Sequence, residues 1–459
     1  MQIHFIAIGG SAMHNLALAL HDAGHQVTGS DDQINEPSRS RLALAGLLPV
    51  SDGWHPERIK PELDCVILGM HAKAENPELA RAQELGLRIQ SYPEFLYEIN
   101  SEKRRLVIGG SHGKTTITSM LMHALRGSRE NFNYMVGAQL DGFDRMVELN
   151  SPGDWAIFEG DEYLSSPIDR RPKFLWYNPE LALLSGIAWD HINVFPTEAH
   201  YFHQFELFLQ TIQPGGTVIW CEEDSHLAEV VKQCDRSDLH WIPYSTPRHE
   251  LMHGGTTRIT FQDGCTIETN LVGQHNYQNM AGARALCLAM GLDAAYFDRS
   301  IPTFHGAARR LETFLEGNNF TIYRDFAHAP SKVAATTEAV KGAFPGRQLT
   351  AVFELHTFSS LNRDFLPTYA NTLQAADEAV VFFSPEVLSH KNLPALETDF
   401  VKRCFGGEEE VEIMTDPTQI ETFLSRLDLE NRTVLLMSSG WFQGADLLSS
   451  FASAQGHVQ

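Results

Sequence analysis

Short apolar runs alternate with amphipathic stretches along most of the chain, a pattern that predicts strands alternating with helices. Ile3–Ile8 reads as a buried strand, Ser11–Ala23 as a helix apolar every three to four residues, and Val27–Gly29 as a second strand. Asp64–Gly69 and Asn76–Leu85 repeat the strand-helix pair. Over residues 1–101 this alternation predicts a parallel, Rossmann-like sheet. The pattern resumes with a strand at Leu106–Gly109 and a helix over Ile117–Leu125, then strands at Asp154–Phe158, Leu181–Ile187 and Thr256–Phe261. Beyond residue 311, Thr321–Tyr323, Leu349–Glu354, Ala379–Phe383 and Thr433–Met437 predict a second open sheet with helices between its strands. The expected architecture is α/β throughout, in three domains at 1–101, 102–310 and 311–459, without internal repeats.

Composition narrows the class. The chain has 459 residues, 43% hydrophobic and 20% charged, enough for several separate cores. No apolar run reaches the ~18 residues of a membrane span, and the apolar N-terminus lacks a basic leader, so no signal peptide is expected. Six cysteines without CxxC spacing suit reduced thiols and a cytoplasmic setting. A net charge of −23 argues against nucleic acid as a partner.

The chemistry gathers at Gly110-Ser111-His112-Gly113-Lys114-Thr115-Thr116, between a predicted strand and a predicted helix. In that context backbone N–H groups wrap phosphates, the lysine reaches the β/γ oxygens and the following hydroxyl holds Mg²⁺. The usual first glycine is replaced by Ile108, so the loop is a shortened variant. Glu159-Gly160-Asp161-Glu162 and Asp190-His191 each follow a predicted strand, where a nucleotide-bound Mg²⁺ needs hard ligands. Gly9-Gly10-Ser11-Ala12-Met13 opens the first helix, and Ser30-Asp31 closes the second strand. A dehydrogenase would need glycines where Ile8 and Met13 stand, so a nucleotide other than NAD is expected at this turn. A phosphate-loop switch or motor would not need that additional domain. His249-Glu250-Leu251-Met252-His253 matches the zinc-protease pattern, but Pro247 and Gly254-Gly255 leave a helix no room there.

Together these segments resemble the Mur ligases, ATP-dependent enzymes that build on UDP-N-acetylmuramate. The resemblance spans essentially the whole chain. It adds Gly273-Gln274-His275-Asn276-Tyr277-Gln278-Asn279, Arg309-Arg310-Leu311-Glu312 and Asp325-Phe326-Ala327-His328-Ala329-Pro330 to the segments above. It implies a Rossmann-like UDP-binding domain, a central phosphate-loop domain and a C-terminal domain for the amine substrate. Gly10, Ser11, Ala12, Met13, Ser30 and Asp31 would hold the UDP substrate. ATP would lie on Gly110 to Thr116, with His275, Asn276 and Asn279 at the adenine and Asp325 at the ribose. Lys114 and Arg310 would balance the γ-phosphate; Thr115 and Glu159 would hold one Mg²⁺, and His191 with Glu159 a second.

The segment Asp169-Arg170-Arg171-Pro172-Lys173-Phe174 and the run Met437-Ser438-Ser439-Gly440-Trp441-Phe442-Gln443-Gly444 are similar to one branch of the family. That branch couples the tripeptide L-alanyl-γ-D-glutamyl-meso-diaminopimelate, not free L-alanine, to UDP-N-acetylmuramate in peptidoglycan recycling. The amine substrate would then meet Arg171, Lys173, His328, Glu354 and Ser439. The chain departs from the branch at Glu354-Leu355-His356-Thr357, where an arginine usually stands in place of His356. Around Gln204-Phe205-Glu206-Leu207 it lacks the lysine that sister ligases carbamylate.

Overall fold

The computed structural model describes residues 1–128, 131–140, 142–252, 256–304, 306, 310–406 and 411–456. His253, Arg309 and the acidic run Glu408–Glu410 lie outside these residues. The chain folds as two compact units, and neither is continuous in sequence.

The first unit comprises Met1–Ile187, Glu198–Ser245 and Gly282–Ser300. Its first sheet contains β1 (Gln2–Ile6), β2 (Gln26–Ser30), β3 (Cys65–Leu68) and β4 (Ile89–Ser91), all parallel in the order β2-β1-β3-β4. Ile3, Phe5, Ile6, Val66, Ile67 and Leu68 are fully buried, as the near-continuous apolar runs of a sheet covered on both faces require. β1 stops two residues short of the predicted Ile8. Ala7 turns to φ +70°, and the N–H groups of Ala7 and Ile8 both donate to the Ser30 carbonyl. The helix predicted from Asn76 begins at Pro77, because the Asn76 side chain caps it by accepting from the N–H groups of Glu78 and Leu79.

The second sheet of this unit contains β5 (Arg104–Gly109), β6 (Phe132–Met135), β7 (Val147–Glu148), β8 (Trp155–Gly160), β9 (Leu181–Leu184), β10 (Thr217–Cys221) and β11 (His240–Tyr244). The order is β11-β10-β9-β5-β8-β6-β7, parallel except for β7. β8 runs two residues further than predicted, so Glu159 lies inside the strand instead of beyond it. β9 is shorter than predicted: Gly186 takes φ +136° and turns its carbonyl to the Ser111 N–H, 2.9 Å away.

The second unit comprises Ala188–Thr197, Thr246–Ala281 and the chain from Ile301 onward. β12 (Arg248–Leu251), β13 (Thr257–Thr260) and β14 (Thr266–Thr269) form a small antiparallel sheet. His249 and Glu250 thus sit on a strand, where neighbouring side chains point to opposite faces, and the protease motif has no helix to stand on.

The larger sheet contains β15 (Glu312–Glu316), β16 (Phe320–Asp325), β17 (Gln348–Leu355), β18 (Glu378–Phe383), β19 (Val411–Met414) and β20 (Arg432–Met437). Its order is β15-β16-β20-β17-β18-β19, with β15 antiparallel at the edge. Alternate residues feed two cores. Ile322, Val352, Val380 and Leu436 pack with Ile420, Leu424 and Phe451 on one face; Tyr323, Phe353, Val381 and Leu435 pack with Val333, Leu366 and Val401 on the other. Among the described residues no helix is long and apolar enough to cross a membrane.

Candidate functional site

In the first unit the phosphate loop joins β5 to the helix Lys114–Ser128. Gly110 (φ +124°) and Gly113 (φ +72°) take backbone conformations that side-chain-bearing residues avoid. Ser185 Oγ braces the loop, its one proton shared between the carbonyls of Gly109 (3.2 Å) and His112. Lys114 Nζ donates to the Gly110 carbonyl and to Glu162 Oε2, each at 2.6 Å. Burial works against this ammonium, but Glu162 and Asp161 outweigh it and hold the Lys114 pKa above its ordinary value. Ser111 and Thr116 are buried with the loop.

Thr115 Oγ1 donates to Glu159 Oε1 at 2.6 Å, and Glu159 Oε2 accepts from the Gly137 N–H at 2.7 Å. Two hard oxygens this close, one from the loop and one from β8, fit a small cation that keeps most of its remaining positions for water and phosphate. Among the described residues no three His, Cys, Asp or Glu side chains gather as a preformed metal cluster. Mg²⁺ at a phosphate loop does not require one.

The glycine turn after β1 is the unit's second anion-directed feature. The Gly9 N–H donates to Asp31 Oδ2 at 2.7 Å, and the Asp32 N–H to Asp31 Oδ1 at 2.9 Å. Burial, reinforced by Asp32, pushes the Asp31 carboxyl up to about 6. The helix Ser11–Asp22 starts directly after Gly10, with Ser11 exposed, Ala12 half-buried and Met13 buried; Ser30 is fully buried at the end of β2.

The basic insertion is already paired. Arg171 makes a bidentate contact with Asp169 at 2.9 and 3.1 Å, and its guanidinium lies 3.9 Å over the Trp176 ring. Lys173 Nζ donates to Asp161 Oδ2 at 2.5 Å and keeps the Asp161 carboxyl low against the effect of burial. Both cations therefore shape the insertion; any substrate carboxylate must compete with an internal one.

In the second unit Asp190 and His191 follow β9 in a loop. His191 has φ +55°, and its N–H donates to Asp190 Oδ1 at 2.7 Å. Burial opposes the Asp190 charge, but His328 and His191 beside it hold the carboxyl well below the usual range. His328 Nε2 lies 3.8 Å from Asp190 Oδ2, and Tyr369 donates to the His328 carbonyl. Asp325, at the end of β16, accepts from the N–H groups of Leu311 and Ala327, both at 2.6 Å. Burial raises its pKa despite Arg310, whose guanidinium lies 5.0 Å over the Phe326 ring.

The helix Gln274–Ala289 begins after Gly273 (φ +97°). Asn276 and Asn279 are buried, and the Asn276 side chain donates to the Val272 carbonyl at 2.7 Å. Burial pushes His275 down to about 4. His275 lines a cavity of about 470 Å³ with His249, Tyr277, Gln278, Ala335 and Ala339.

Glu354 is fully buried within β17. Its Oε2 accepts from the Ser438 hydroxyl and from the Phe442 N–H at 2.9 Å, so it anchors the turn after β20. His356 Nδ1 stands 3.6 Å from Glu354 Oε1, and the Ser439 hydroxyl has no partner among the described residues. The structure thus brings Lys114, Thr115 and Glu159 together in one unit, and Asp190, His191 and His328 in the other. Sequence reasoning left Gly137, Ser185 and Tyr201 out of the site. Tyr201 carries no motif, and only its helix, Glu198–Thr211, brings it to Glu162.

The chain is similar to known proteins along most of its length. The family profiles described as Mur ligase family, catalytic domain, as Mur ligase middle domain, and as Mur ligase, glutamate ligase domain match residues 2–104, 108–287 and 309–440. A UDP-N-acetylmuramate–L-alanine ligase of Desulfitobacterium hafniense is 30% identical over 393 residues, 83% of this chain and 84% of its own. The UDP-N-acetylmuramate–L-alanyl-gamma-D-glutamyl-meso-2,6-diaminoheptandioate ligase of Escherichia coli is 28% identical over 366 residues, 77% and 79% of the two chains. A murein peptide ligase from Psychrobacter arcticus shares the fold with a TM-score of 0.68 at 23% identity, over 98% of both chains. The chain belongs to the Mur ligase family, ATP-dependent ligases that form an amide bond.

Proposed function

We propose that this ligase joins L-alanyl-γ-D-glutamyl-meso-diaminopimelate to UDP-N-acetylmuramate, in the cytoplasm, as a step of peptidoglycan recycling. The observation that carries the choice of amine is the Asp169–Phe174 insertion, similar to that of the peptide-coupling branch and fixed to the acidic segment by Lys173 and Asp161. The domains at 1–101, 102–310 and 311–459 would serve the UDP substrate, ATP and the amine in turn. The second reading is free L-alanine as the amine, favoured by the relatives that carry that name.

The reaction needs a carboxylate turned into an acyl donor. A carboxylate oxygen of UDP-N-acetylmuramate attacks the γ-phosphorus of ATP and ADP leaves. The amine attacks the acyl phosphate, loses its proton, and phosphate departs from the tetrahedral intermediate. Positioning and charge neutralisation supply most of the acceleration. Lys114 and Arg310 balance the γ-phosphate. Thr115 and Glu159 would hold one Mg²⁺ and His191 with Glu159 a second, and these ions when bound would neutralise phosphate charge. His275, Asn276 and Asn279 seat the adenine and Asp325 the ribose. Gly10 to Met13, with Ser30 and Asp31, receive the UDP moiety. His328 and Ser439 face the amine, Glu354 from its buried position holds the turn that carries Ser439, and Arg171 and Lys173 shape the approach. The test is phosphate release from ATP with UDP-N-acetylmuramate and either amine. A kcat/KM higher for the tripeptide supports the reading, and one higher for L-alanine overturns it.

A further inference from the structure

We propose that Glu162 competes with the triphosphate for Lys114, and that Tyr201 is the positioning residue that sets how strongly it does so. Five residues form a closed ring of contacts around the loop. Lys114 Nζ donates to the Gly110 carbonyl and to Glu162 Oε2, both at 2.6 Å. Glu162 Oε1 accepts from the Tyr201 hydroxyl at 3.1 Å, and the Tyr201 oxygen lies 2.8 Å from Ser111 Oγ. Tyr201 has one hydroxyl proton and gives it to Glu162, so Ser111 is the donor in the last contact. Ser111 follows Gly110 in the chain, and the ring closes there.

Every member is shielded. The Lys114 and Glu162 side chains are 14% and 2% exposed, and Tyr201 is fully buried with its ring 5.4 Å from that of Phe205. A charge pair this dry keeps most of its strength. A phosphate arriving in the loop meets an ammonium whose charge Glu162 already offsets, so part of the attraction to nucleotide is cancelled in advance. The Tyr201 hydroxyl draws charge from the far oxygen of Glu162 and weakens its hold on the lysine. A loop tuned in this way binds ATP without trapping ADP.

The inference rests on Lys114 contacting the triphosphate, and one calorimetric series on the full chain separates the two. The probes are ADP with Mg²⁺ and a non-hydrolysable ATP analogue. Glu162→Gln should tighten both by about tenfold, since it removes a unit negative charge beside the phosphate site. Tyr201→Phe should weaken both by about threefold to tenfold, because Glu162 then loses the hydroxyl that draws its charge away from Lys114. In the double variant the tyrosine should no longer matter, and affinity should match Glu162→Gln within a factor of about two. Independent, additive effects of the two changes, or no tightening by Glu162→Gln, would overturn the proposal. If Glu162→Gln fails to fold, Glu162→Asp withdraws the carboxylate by one methylene and should tighten binding to a smaller degree. Lys114→Ala is the reference: unchanged affinity there removes the loop reading itself, while a loss there beside an additive pair removes only the competition.

Discussion

Gly110→Ala tests whether the loop is as tightly braced as its geometry says. A Cβ built on Gly110 would lie 2.3 Å from Ser185 Oγ, 2.9 Å from the Gly186 carbonyl oxygen and 3.0 Å from the Ser185 nitrogen. Ordinary contacts begin near ~3.4 Å, and two of these three neighbours are backbone. Ser185 Oγ can rotate away only by giving up the bond its single proton shares between the Gly109 and His112 carbonyls, about 1 kcal/mol. Holding alanine at φ +124° costs a further ~1–3 kcal/mol. The sum is about 2–4 kcal/mol, and any relief must open the junction of β5 and β9 where the Ser111 N–H meets Gly186. Gly342→Ala is the control. Gly342 lies inside the helix Pro330–Ala343 with nothing within 4 Å of its would-be Cβ, so alanine should be neutral or stabilise by up to ~1 kcal/mol. Urea unfolding followed by tryptophan fluorescence measures both. A Gly110→Ala variant within about 1 kcal/mol of the parent would refute the bracing argument.

Lys114→Ala should lower turnover by about 10²–10³, measured as phosphate release. It should also cost ~3–5 kcal/mol of stability by stranding Glu162, so the assay must run below the lowered melting point. Gly10→Ala should fold normally, since its Cβ would come no closer than 3.5 Å to a neighbour, while affinity for the UDP substrate falls and ATP affinity holds. Equal loss of both would place the turn outside the UDP site. Gly137→Ala would set a Cβ 2.9 Å from Glu159 Oε2 and should raise the Mg²⁺ requirement by about tenfold without changing metal-free ADP binding. His275 adds a pH dependence: the unfolded ring takes up a proton near 6.5, the folded one only near 4. Its contribution, up to about 3 kcal/mol, is complete above pH 6.5 and is lost as pH falls toward 4. His275→Gln should flatten that slope in unfolding midpoints between pH 7.5 and 5, and an unchanged slope would assign it to another group.

The parts legible in the sequence are those whose cause is local. The phosphate loop announces itself because strand, glycine turn and lysine are adjacent, and the structure pairs Thr115 with the Glu159 expected to share its metal. Strand ends were less legible: β8 runs on through Glu159, a polar residue that a pattern reading assigns to the following turn. β15 escaped notice because Glu312–Glu316 is an edge strand bounded by charge. Arg171 and Lys173 looked available for a substrate; their partners Asp169 and Asp161 become visible only once the insertion folds back. Tyr201 reads as one more apolar position among Phe205 and Phe208 on a core-facing helix, and its hydroxyl gains a role only through tertiary packing.

The discontinuity of the two units bears on how the protein can be dissected. Residues 188–197 belong with the C-terminal sheet: the Trp189 ring meets that of Phe365 at 6.2 Å, Asp190 faces His328, and Ile192 packs against the buried cluster around Val333. A fragment cut at residue 310 would carry this segment away from its partners, leaving an indole, an isoleucine and a carboxylate exposed on a loose loop. The complementary fragment would lack what covers that part of its core. Proteolysis or truncation at the linear boundary should therefore yield two sticky pieces, and cutting and religating the gene cannot exchange this C-terminal part between homologues without also moving the segments Ala188–Thr197 and Thr246–Ala281.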